Sequence, residues 1–162
     1  MMEKMEELQI QTEFNVQKVL WFSLGQEDYG VKVEYVQSVI DSAPGTPVPN
    51  TPRFVREVVN LRGTLVPIVS IREMFDLPPA ENGGEGTMVI LKVDTMMVGI
   101  LVDGVSDVLD IDFSSLQPPP PSLSAFGAEC IMGIHRHPAG ILTILDIYRI
   151  VNIAKEMISK YS

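Results

Sequence analysis

The stretch VVNLRGTLVPIVSIREMF, from Val58 to Phe75, carries the clearest fold signal in the chain. Its dense apolar run at 65–69 is typical of a buried strand. Ser70 follows, with Glu73 three residues later, and this capping-box spacing predicts a short helix directly after the strand. Arg62, beside a glycine, precedes the run. The stretch therefore predicts a turn, a strand and a short helix in that order.

The second half of the chain repeats the pattern of the first half. Two pairs of blocks align without gaps: Val19–Ile40 on Met88–Leu109, and Leu65–Ile71 on Ile141–Ile147. In each copy a residue that caps helices well, Ser70 or Asp146, follows the strand. Each copy also has a proline-rich loop between its two blocks, at 44–52 and at 118–121. Three matched features in the same order favour an internal duplication.

Short strands dominate both copies. The apolar run at 19–24 and the alternating run at 29–33 flank turn residues, which predicts a β-hairpin. Two copies of about 60–70 residues with such short strands favour two small barrels side by side over open sheets. We therefore expect a mainly β fold of two similar lobes, at about 18–78 and 87–152, packed on a shared core.

Helices are expected at two further places. Apolar positions at helical spacing, with polar residues between them, predict a C-terminal helix over 147–161. Thr51 before Pro52 has the pattern of an N-cap followed by proline at the first helical position. This pattern predicts a short helix that continues through Phe54 and Val55.

The composition excludes several classes of partner. The 162 residues carry 12 Lys and Arg against 21 Asp and Glu, a net charge of −9. This charge repels phosphate backbones and anionic lipid, so we expect no nucleic-acid binding and no direct membrane binding. Residues 1–16 lack the apolar core of a signal peptide, and no apolar run reaches the ~20 residues of a membrane span. We therefore expect a cytoplasmic protein with a flexible N-terminal tail. The single cysteine, Cys130, is expected to be a small buried side chain.

Motifs of catalysis are missing from the sequence. It contains no GxxxxGK[ST], HExxH, CxxC or GxSxG. His135 and His137 alternate along a predicted strand and could share a metal ion, but no cysteine or carboxylate nearby completes a tetrahedral set. A solvent-exposed hairpin tip is the simpler interpretation. We assign no catalytic, cofactor-binding or metal-binding residue.

Charged residues mark two other features. Arg62 lies on a predicted turn amid apolar segments, and arginine is enriched at protein–protein hot spots, so Arg62 is the main candidate for a binding residue. The alternative is a surface cation whose stem packs on a neighbour.

An acidic series lacks the spacing of a calcium loop, and we interpret it as a solvated surface with turn and capping roles: Asp103, Asp107, Asp110 and Asp112.

Four blocks carry a family resemblance: FSLGQEDYGVKVEYVQSVI, PNTPRFVREVVNLRGTLVPIVSIR, VGILVDGVSDVL and ILTILDI. Together they cover nearly everything from residue 18 to about 152, and the chain resembles the CheW family of bacterial chemotaxis adaptors. The resemblance implies two five-stranded SH3-like barrels on a shared core, within a domain over 17–155. It also implies a non-enzymatic protein that couples chemoreceptors to the histidine kinase CheA without a cofactor.

The same resemblance implies two kinds of binding surface. One surface would bind the helical hairpin of the receptor's cytoplasmic region, and others, at the ends of the two barrels, would bind the regulatory domain of CheA. The receptor-facing residues carried over by position are Val36, Asn60, Leu61, Arg62 and Val108.

Three positions depart from the family pattern. Glu57 replaces a usual glycine, Ser38 replaces a more common acidic residue, and Ser70 replaces an aspartate that would cap a helix equally well. Glu57 could pair with Arg62 or oppose acidic groups of a partner, so Ser38 and Glu57 are candidate specificity modifiers. One alternative function is therefore a divergent CheW paralogue with altered receptor docking. The others are a CheW that packs in receptor arrays without coupling signals, and a metal or small-ligand binder that uses the histidine pair or the aspartate series.

Overall fold

Eleven strands and three helices are formed in the part of the chain that the computed structural model describes, namely residues 15–42, 45–47, 54–80, 85–119, 125–138 and 140–161. The strands are β1 (Val16–Leu24), β2 (Glu27–Lys32), β3 (Val36–Asp41), β4 (Thr46–Pro47), β5 (Val55–Leu61), β6 (Thr64–Val69), β7 (Thr87–Val93), β8 (Met96–Val102), β9 (Gly104–Asp112), β10 (Ile131–His137) and β11 (Gly140–Leu145). The helices are α1 (Ile71–Met74), α2 (Ala125–Glu129) and α3 (Ile147–Tyr161), and 3-10 turns occupy Val33–Tyr35 and Phe113–Ser115.

The strands form two sheets that exchange strands between the sequence repeats. The five-stranded sheet has the order β10-β11-β2-β1-β9, and the six-stranded sheet has the order β3-β7-β8-β6-β5-β4. Each sheet therefore combines the first hairpin of one repeat with the later strands of the other. The ranges 18–78 and 87–152 are repeats of sequence, but neither range forms a sheet of its own.

Two glycines permit this exchange. Gly30 pairs with Ile144 where β2 meets β11 in parallel, and Gly99 pairs with Ile68 where β8 meets β6 in parallel. A Cβ atom on Gly30 would lie 2.5 Å from Val19 Cγ1, and one on Gly99 would lie 2.7 Å from Ile68 Cδ1. Ile68 belongs to the exchanged strand β6, whereas Val19 belongs to the same hairpin as Gly30; the exchanged strand β11 comes within 3.1 Å of the Gly30 Cβ position through Ile144 Cδ1. Glycine therefore leaves room for the exchanged strand in each sheet.

The expected pair of five-stranded barrels is only partly correct. The fold is mainly β with two sheets, but one sheet has six strands, and continuous pairing does not close either sheet within the described residues. In the five-stranded sheet, β9 runs into the 3-10 turn at Phe113–Ser115, which bends the chain away from a strand path. After this bend the backbone of Gln117 forms a single bridge to β10, with hydrogen bonds of 2.9 and 2.8 Å to and from Ile134.

The main hydrophobic core lies between the two sheets. Phe22 and Val31 of the five-stranded sheet, Val89 and Ile100 of the six-stranded sheet, and Ile150 of α3 all belong to one buried cluster. Each sheet also covers a smaller cluster on its other face. The prediction of a core shared by both halves is confirmed.

Local helix signals had mixed outcomes. Ser70 Oγ accepts a hydrogen bond from the backbone N–H of Glu73 at 3.2 Å and caps α1, as predicted. The C-terminal helix spans Ile147–Tyr161, also as predicted. The helix expected through Val55 is wrong, because Val55 begins β5 and pairs with Val69. Thr51 and Pro52 lie outside the described residues.

Candidate functional site

The predicted turn at Arg62 is the tip of the β5–β6 hairpin. Leu61 pairs with Thr64, and the two residues between them, Arg62 and Gly63, have φ angles of 52° and 84°. Two consecutive positive φ values define the tight turn that suits the twist of a hairpin. Asn60 Oδ1 accepts a hydrogen bond from the backbone N–H of Gly63 at 2.9 Å and fixes the turn. For arginine this conformation costs about 1 kcal/mol relative to an ordinary one.

The side chains of this tip divide into exposed and packed ones. Arg62 is exposed and makes no ion pair or hydrogen bond with the described residues. Leu61 is half-buried and packs on the cluster that contains Val59 and Val66. Leu65, opposite Asn60 in the ladder, is 69% exposed. The sequence analysis missed Leu65 because it opens a run that is otherwise buried; its position next to the turn was the available signal.

Val36, Ser38 and Val108 lie on edge strands, away from this tip in the strand order. Val36 is half-buried against the main core and Ser38 is exposed, both on β3. Val108 is 44% exposed on β9, at the edge of the other sheet. A shallow groove lies between these two edge strands, with Val39 and Val105 among its lining residues.

The residues predicted to face the receptor therefore fall into two groups. Asn60, Leu61 and Arg62 lie together at the hairpin tip, whereas Val36 and Val108 lie on the two strands that border the groove. In the six-stranded sheet, β7, β8 and β6 separate β3 from β5. Since Ile40 of β3 packs on the same cluster as Leu61, the sheet curls and brings its two edges toward one another.

Glu57 does not pair with Arg62. Its side chain is half-buried and lies over Gly45, where a Cβ atom would be 2.8 Å from Glu57 Cδ. The backbone of Glu57 pairs with Pro47 of β4. The interpretation that Glu57 neutralises Arg62 is therefore wrong for the described residues, and the carboxylate lies at the β4 edge of the sheet.

An ion cluster around Arg72 joins several parts of the fold. Arg72 Nη1 and Nη2 donate to the two carboxylate oxygens of Asp103 at 2.9 and 2.8 Å, and Nη1 also donates to Glu85 Oε1 at 3.1 Å. Asp103 accepts further hydrogen bonds from the backbone N–H groups of Gly25 and Glu85. The cluster thus connects α1, the β1–β2 turn, the connector before β7 and the junction between β8 and β9.

The environment of this cluster favours its charged form. The Arg72 side chain is 8% exposed and that of Asp103 is 23% exposed. The hydrogen bonds from Arg72, with smaller contributions from the two backbone N–H groups, lower the pKa of Asp103 to about 2 although burial opposes the shift. The pKa of Arg72 is raised in turn, chiefly by its hydrogen bonds to Asp103. The sequence analysis missed this cluster, since it treated Asp103 as a solvated turn residue.

The other acidic residues of the series behave as predicted. Asp112 accepts a hydrogen bond from the backbone N–H of Ser114 at 3.0 Å and caps the 3-10 turn. Asp107 accepts one from the backbone N–H of Val108 at 2.7 Å. Asp110 forms an exposed ion pair with Lys18 at 3.0 Å. Only Asp103 departs from the expected solvated surface.

His137 lies at the end of the β10–β11 hairpin, where it pairs with Gly140, as predicted, but the two histidines are not fully exposed. Both are half-buried, with ring centroids 6.3 Å apart, and the ring of His137 lies 5.6 Å from that of Trp21. Burial lowers the pKa of His135, and the neighbouring His137 lowers it further. No group of three or more metal-ligating side chains is found among the described residues.

Cys130 is buried, as predicted. Burial, with a smaller contribution from Glu129, raises the pKa of its thiol to about 11. At neutral pH it is therefore a small apolar side chain. Among the helices of the described residues, none is both long and apolar enough to cross a bilayer.

Comparisons with known proteins give a consistent result. Residues 18–155 match the family profile described as CheW-like domain. The chain is 32% identical over 144 residues to the chemotaxis protein CheW of Treponema pallidum, covering 86% of this chain and 84% of that protein. It is 32% identical over 136 residues to CheW of Klebsiella aerogenes, covering 84% and 82% of the two chains.

Similarity to a solved structure extends the agreement to the fold. The crystal structure of the scaffolding protein TtCheW from Thermoanaerobacter tengcongensis matches with a TM-score of 0.71 and 28% identity, over 81% of this chain and 84% of that one. The chain therefore belongs to the CheW family of chemotaxis proteins, non-enzymatic adaptors that couple receptors to the kinase CheA.

Proposed function

We propose that this protein acts in the cytoplasm, at receptor arrays on the inner face of the membrane, where it binds the helical hairpin of a chemoreceptor and the regulatory domain of a CheA kinase. The observation that carries the proposal is the match of the CheW-like domain over residues 18–155. Its role is to hold two partners in one complex by surface complementarity.

The receptor would bind across the groove between β3 and β9 and the neighbouring hairpin tip. Support comes from the apolar side chains exposed along the groove, Val39 and Val105, which are 44% and 37% exposed, and from Val108 on the same strand as Val105, which is 44% exposed. Arg62 adds a cation without a partner among the described residues, so it is available to an acidic group on the receptor. Asn60 stabilises the turn that presents Arg62.

The kinase would bind at the ends of the two sheets. Leu65 and Ile141 occupy equivalent positions of the sequence repeat. Each is the second residue of a strand that follows a hairpin turn, Leu65 on β6 and Ile141 on β11. Their side chains are 69% and 52% exposed. Large exposed apolar side chains at matching sites of both sheets suit contacts with another β domain. We therefore assign Leu65 and Ile141 as candidate kinase-facing residues.

A titration with each partner tests this proposal. The purified protein should bind both the CheA regulatory domain and a receptor hairpin fragment, and the absence of binding to both would contradict the proposal. Arg62→Ala should weaken receptor binding by about 1–2 kcal/mol, or about 5- to 30-fold, if the side chain is a hot spot. Arg149→Ala is a matched control, since Arg149 is an exposed arginine on α3, away from the hairpin tip, and pairs with Glu129 of α2.

The divergent-paralogue alternative has its own test. Glu57 adds a carboxylate at the β4 edge, and Ser38 lacks the charge usual at its position on β3. If these residues redirect receptor choice, Glu57→Gly should raise affinity for a receptor that the wild-type protein binds weakly. Binding to kinase but to no receptor would instead favour a protein that packs in arrays without coupling signals.

A further inference from the structure

The indole N–H of Trp21 is a buried hydrogen-bond donor on β1. The indole Nε1 of Trp21 is buried and has no hydrogen-bond partner among the described residues. Trp21 packs on the small cluster formed by Val19, Ile111, Leu142 and Ile144, on the face of the five-stranded sheet opposite the main core. A buried N–H group without an acceptor is costly, so native proteins nearly always supply a protein atom or an ordered water.

A small cavity adjoins the same side chain. Its volume is about 10 Å³, and Trp21, Asp28, His137, Leu109 and Leu142 are among its lining residues. A cavity of this measure, roughly 10–15 Å³, holds one water molecule provided that polar partners are present. Asp28 is a carboxylate acceptor on β2, and His137 has ring nitrogens on β10. The cavity therefore has the size of one water, and Asp28 and His137 place polar groups in a lining that is otherwise mostly apolar.

We propose that this cavity is the binding site of a single ordered water molecule that accepts the hydrogen bond of Trp21 Nε1–H and donates to Asp28. The water would connect β1 to β2 of the first repeat, in a cavity that the β10–β11 hairpin of the second repeat also lines. It lies beside Ile141, which also lines the cavity. The proposal concerns the protein alone and stands whether or not Ile141 contacts a kinase.

The single tryptophan makes the site directly testable. The chain has one Trp, so the full-length ¹⁵N-labelled protein gives one indole N–H signal, and Trp21→Phe confirms its assignment by removing it. We expect a through-space cross-peak between this proton and a water of nanosecond or longer residence, and exchange with solvent at least about tenfold slower than for a free indole. Exchange at the free rate, or a slowly exchanging proton without a water cross-peak, would overturn the proposal.

Replacing Asp28, the proposed acceptor of the water's hydrogen bond, distinguishes a bound water from a protein atom that accepts the hydrogen bond of Trp21. Asp28→Ala should weaken the water cross-peak and speed indole exchange several-fold, whereas Asp110→Ala, an exposed carboxylate on β9, should leave both unchanged. Equal effects of the two variants would contradict the role of Asp28. If Asp28→Ala fails to fold, a high-resolution crystal structure of the wild type decides: a water within hydrogen-bond distance of Trp21 Nε1 supports the site, and a protein acceptor there refutes it.

Discussion

Replacing Asp103 by asparagine removes one charge from the ion cluster while keeping the size of the side chain. The carboxylate receives two hydrogen bonds from Arg72 and two from backbone N–H groups, and the amide of asparagine cannot accept all of them. Arg72, 8% exposed, would then retain Glu85 as its anionic partner among the residues that the structure describes. The variant therefore tests how much one buried ion cluster contributes to the stability of the fold.

Two estimates bracket the cost. The lowering of the Asp103 pKa from 3.8 to about 2 corresponds to roughly 2 kcal/mol, reduced somewhat by solvent screening because the side chain is 23% exposed. Removing one partner of a buried ion pair costs about 3–5 kcal/mol, and Glu85 offsets part of this by remaining bound to Arg72. We expect Asp103→Asn to lower the free energy of unfolding by about 2–3 kcal/mol at pH 7.

The pH dependence gives a second signature. Because folding lowers the pKa of Asp103, its contribution is complete above the unfolded value of 3.8 and is lost as the pH falls toward the folded value of about 2. The stability difference between wild type and Asp103→Asn should therefore stay constant from pH 7 to about 5 and shrink below about pH 4. Urea unfolding at several pH values, followed by circular dichroism, measures this difference.

The matched control is Asp110→Asn. Asp110 forms an ion pair with Lys18 at 3.0 Å, but the two side chains are 61% and 68% exposed, so this substitution should cost at most about 0.5 kcal/mol. Equal losses for the two variants, or a loss below about 1 kcal/mol for Asp103→Asn, would refute the reasoning. So would a stability difference that grows as the pH falls.

Three further outcomes are expected. Gly30→Ala and Gly99→Ala should each destabilise the protein by about 1–3 kcal/mol in urea unfolding, because the added methyl overlaps a neighbour, whereas Gly104→Ala has 3.9 Å of clearance and serves as the control. Cys130 should resist alkylation at pH 8 in the native protein and react in urea, since its pKa is raised to about 11; rapid native-state labelling would show that the thiol is accessible. Arg62→Asn should leave the melting temperature unchanged or raise it slightly, because asparagine tolerates positive φ better, while receptor binding falls; a lower melting temperature would show that the arginine stabilises the turn.

Much of the local structure follows from sequence. The β1–β2 hairpin, the strand before Ser70, the cap itself and the C-terminal helix depend on signals within a few residues of each other. Alternation, capping spacing and helical periodicity are local properties, so these elements could be predicted. The helix expected at Thr51 failed at Val55 because pairing with β6 prevailed over a local N-cap signal.

The exchange of strands could not be predicted in the same way. The repeat predicts two similar units, and units of consecutive strands are the simplest way to build them. Which hairpin joins which later strands depends on contacts between distant residues, and only the aligned glycines, Gly30 and Gly99, hint at the close parallel neighbours. The Arg72 cluster was missed for a similar reason, since Asp103 and Glu85 come from separate segments.

The candidate site was predicted in part. Arg62 and Asn60 could be placed on a turn because of the glycine that follows them. The sequence could not show that Leu61 is packed and Leu65 exposed, since alternation along a hairpin fixes two faces but not which face is covered. The assignment of these residues to a receptor surface remains a prediction that binding experiments must test.

The exchange of strands also constrains the order of events during synthesis. Val16 pairs with Asp112, so the first hairpin cannot gain its β9 neighbour until most of the chain has left the ribosome. At about 5–20 residues per second, both edges of that hairpin stay open for several seconds. Unpaired strand edges invite association with other chains, so the nascent protein is most exposed to misassembly before its second half emerges. Folding of this adaptor is thus a late step that the last third of the chain completes.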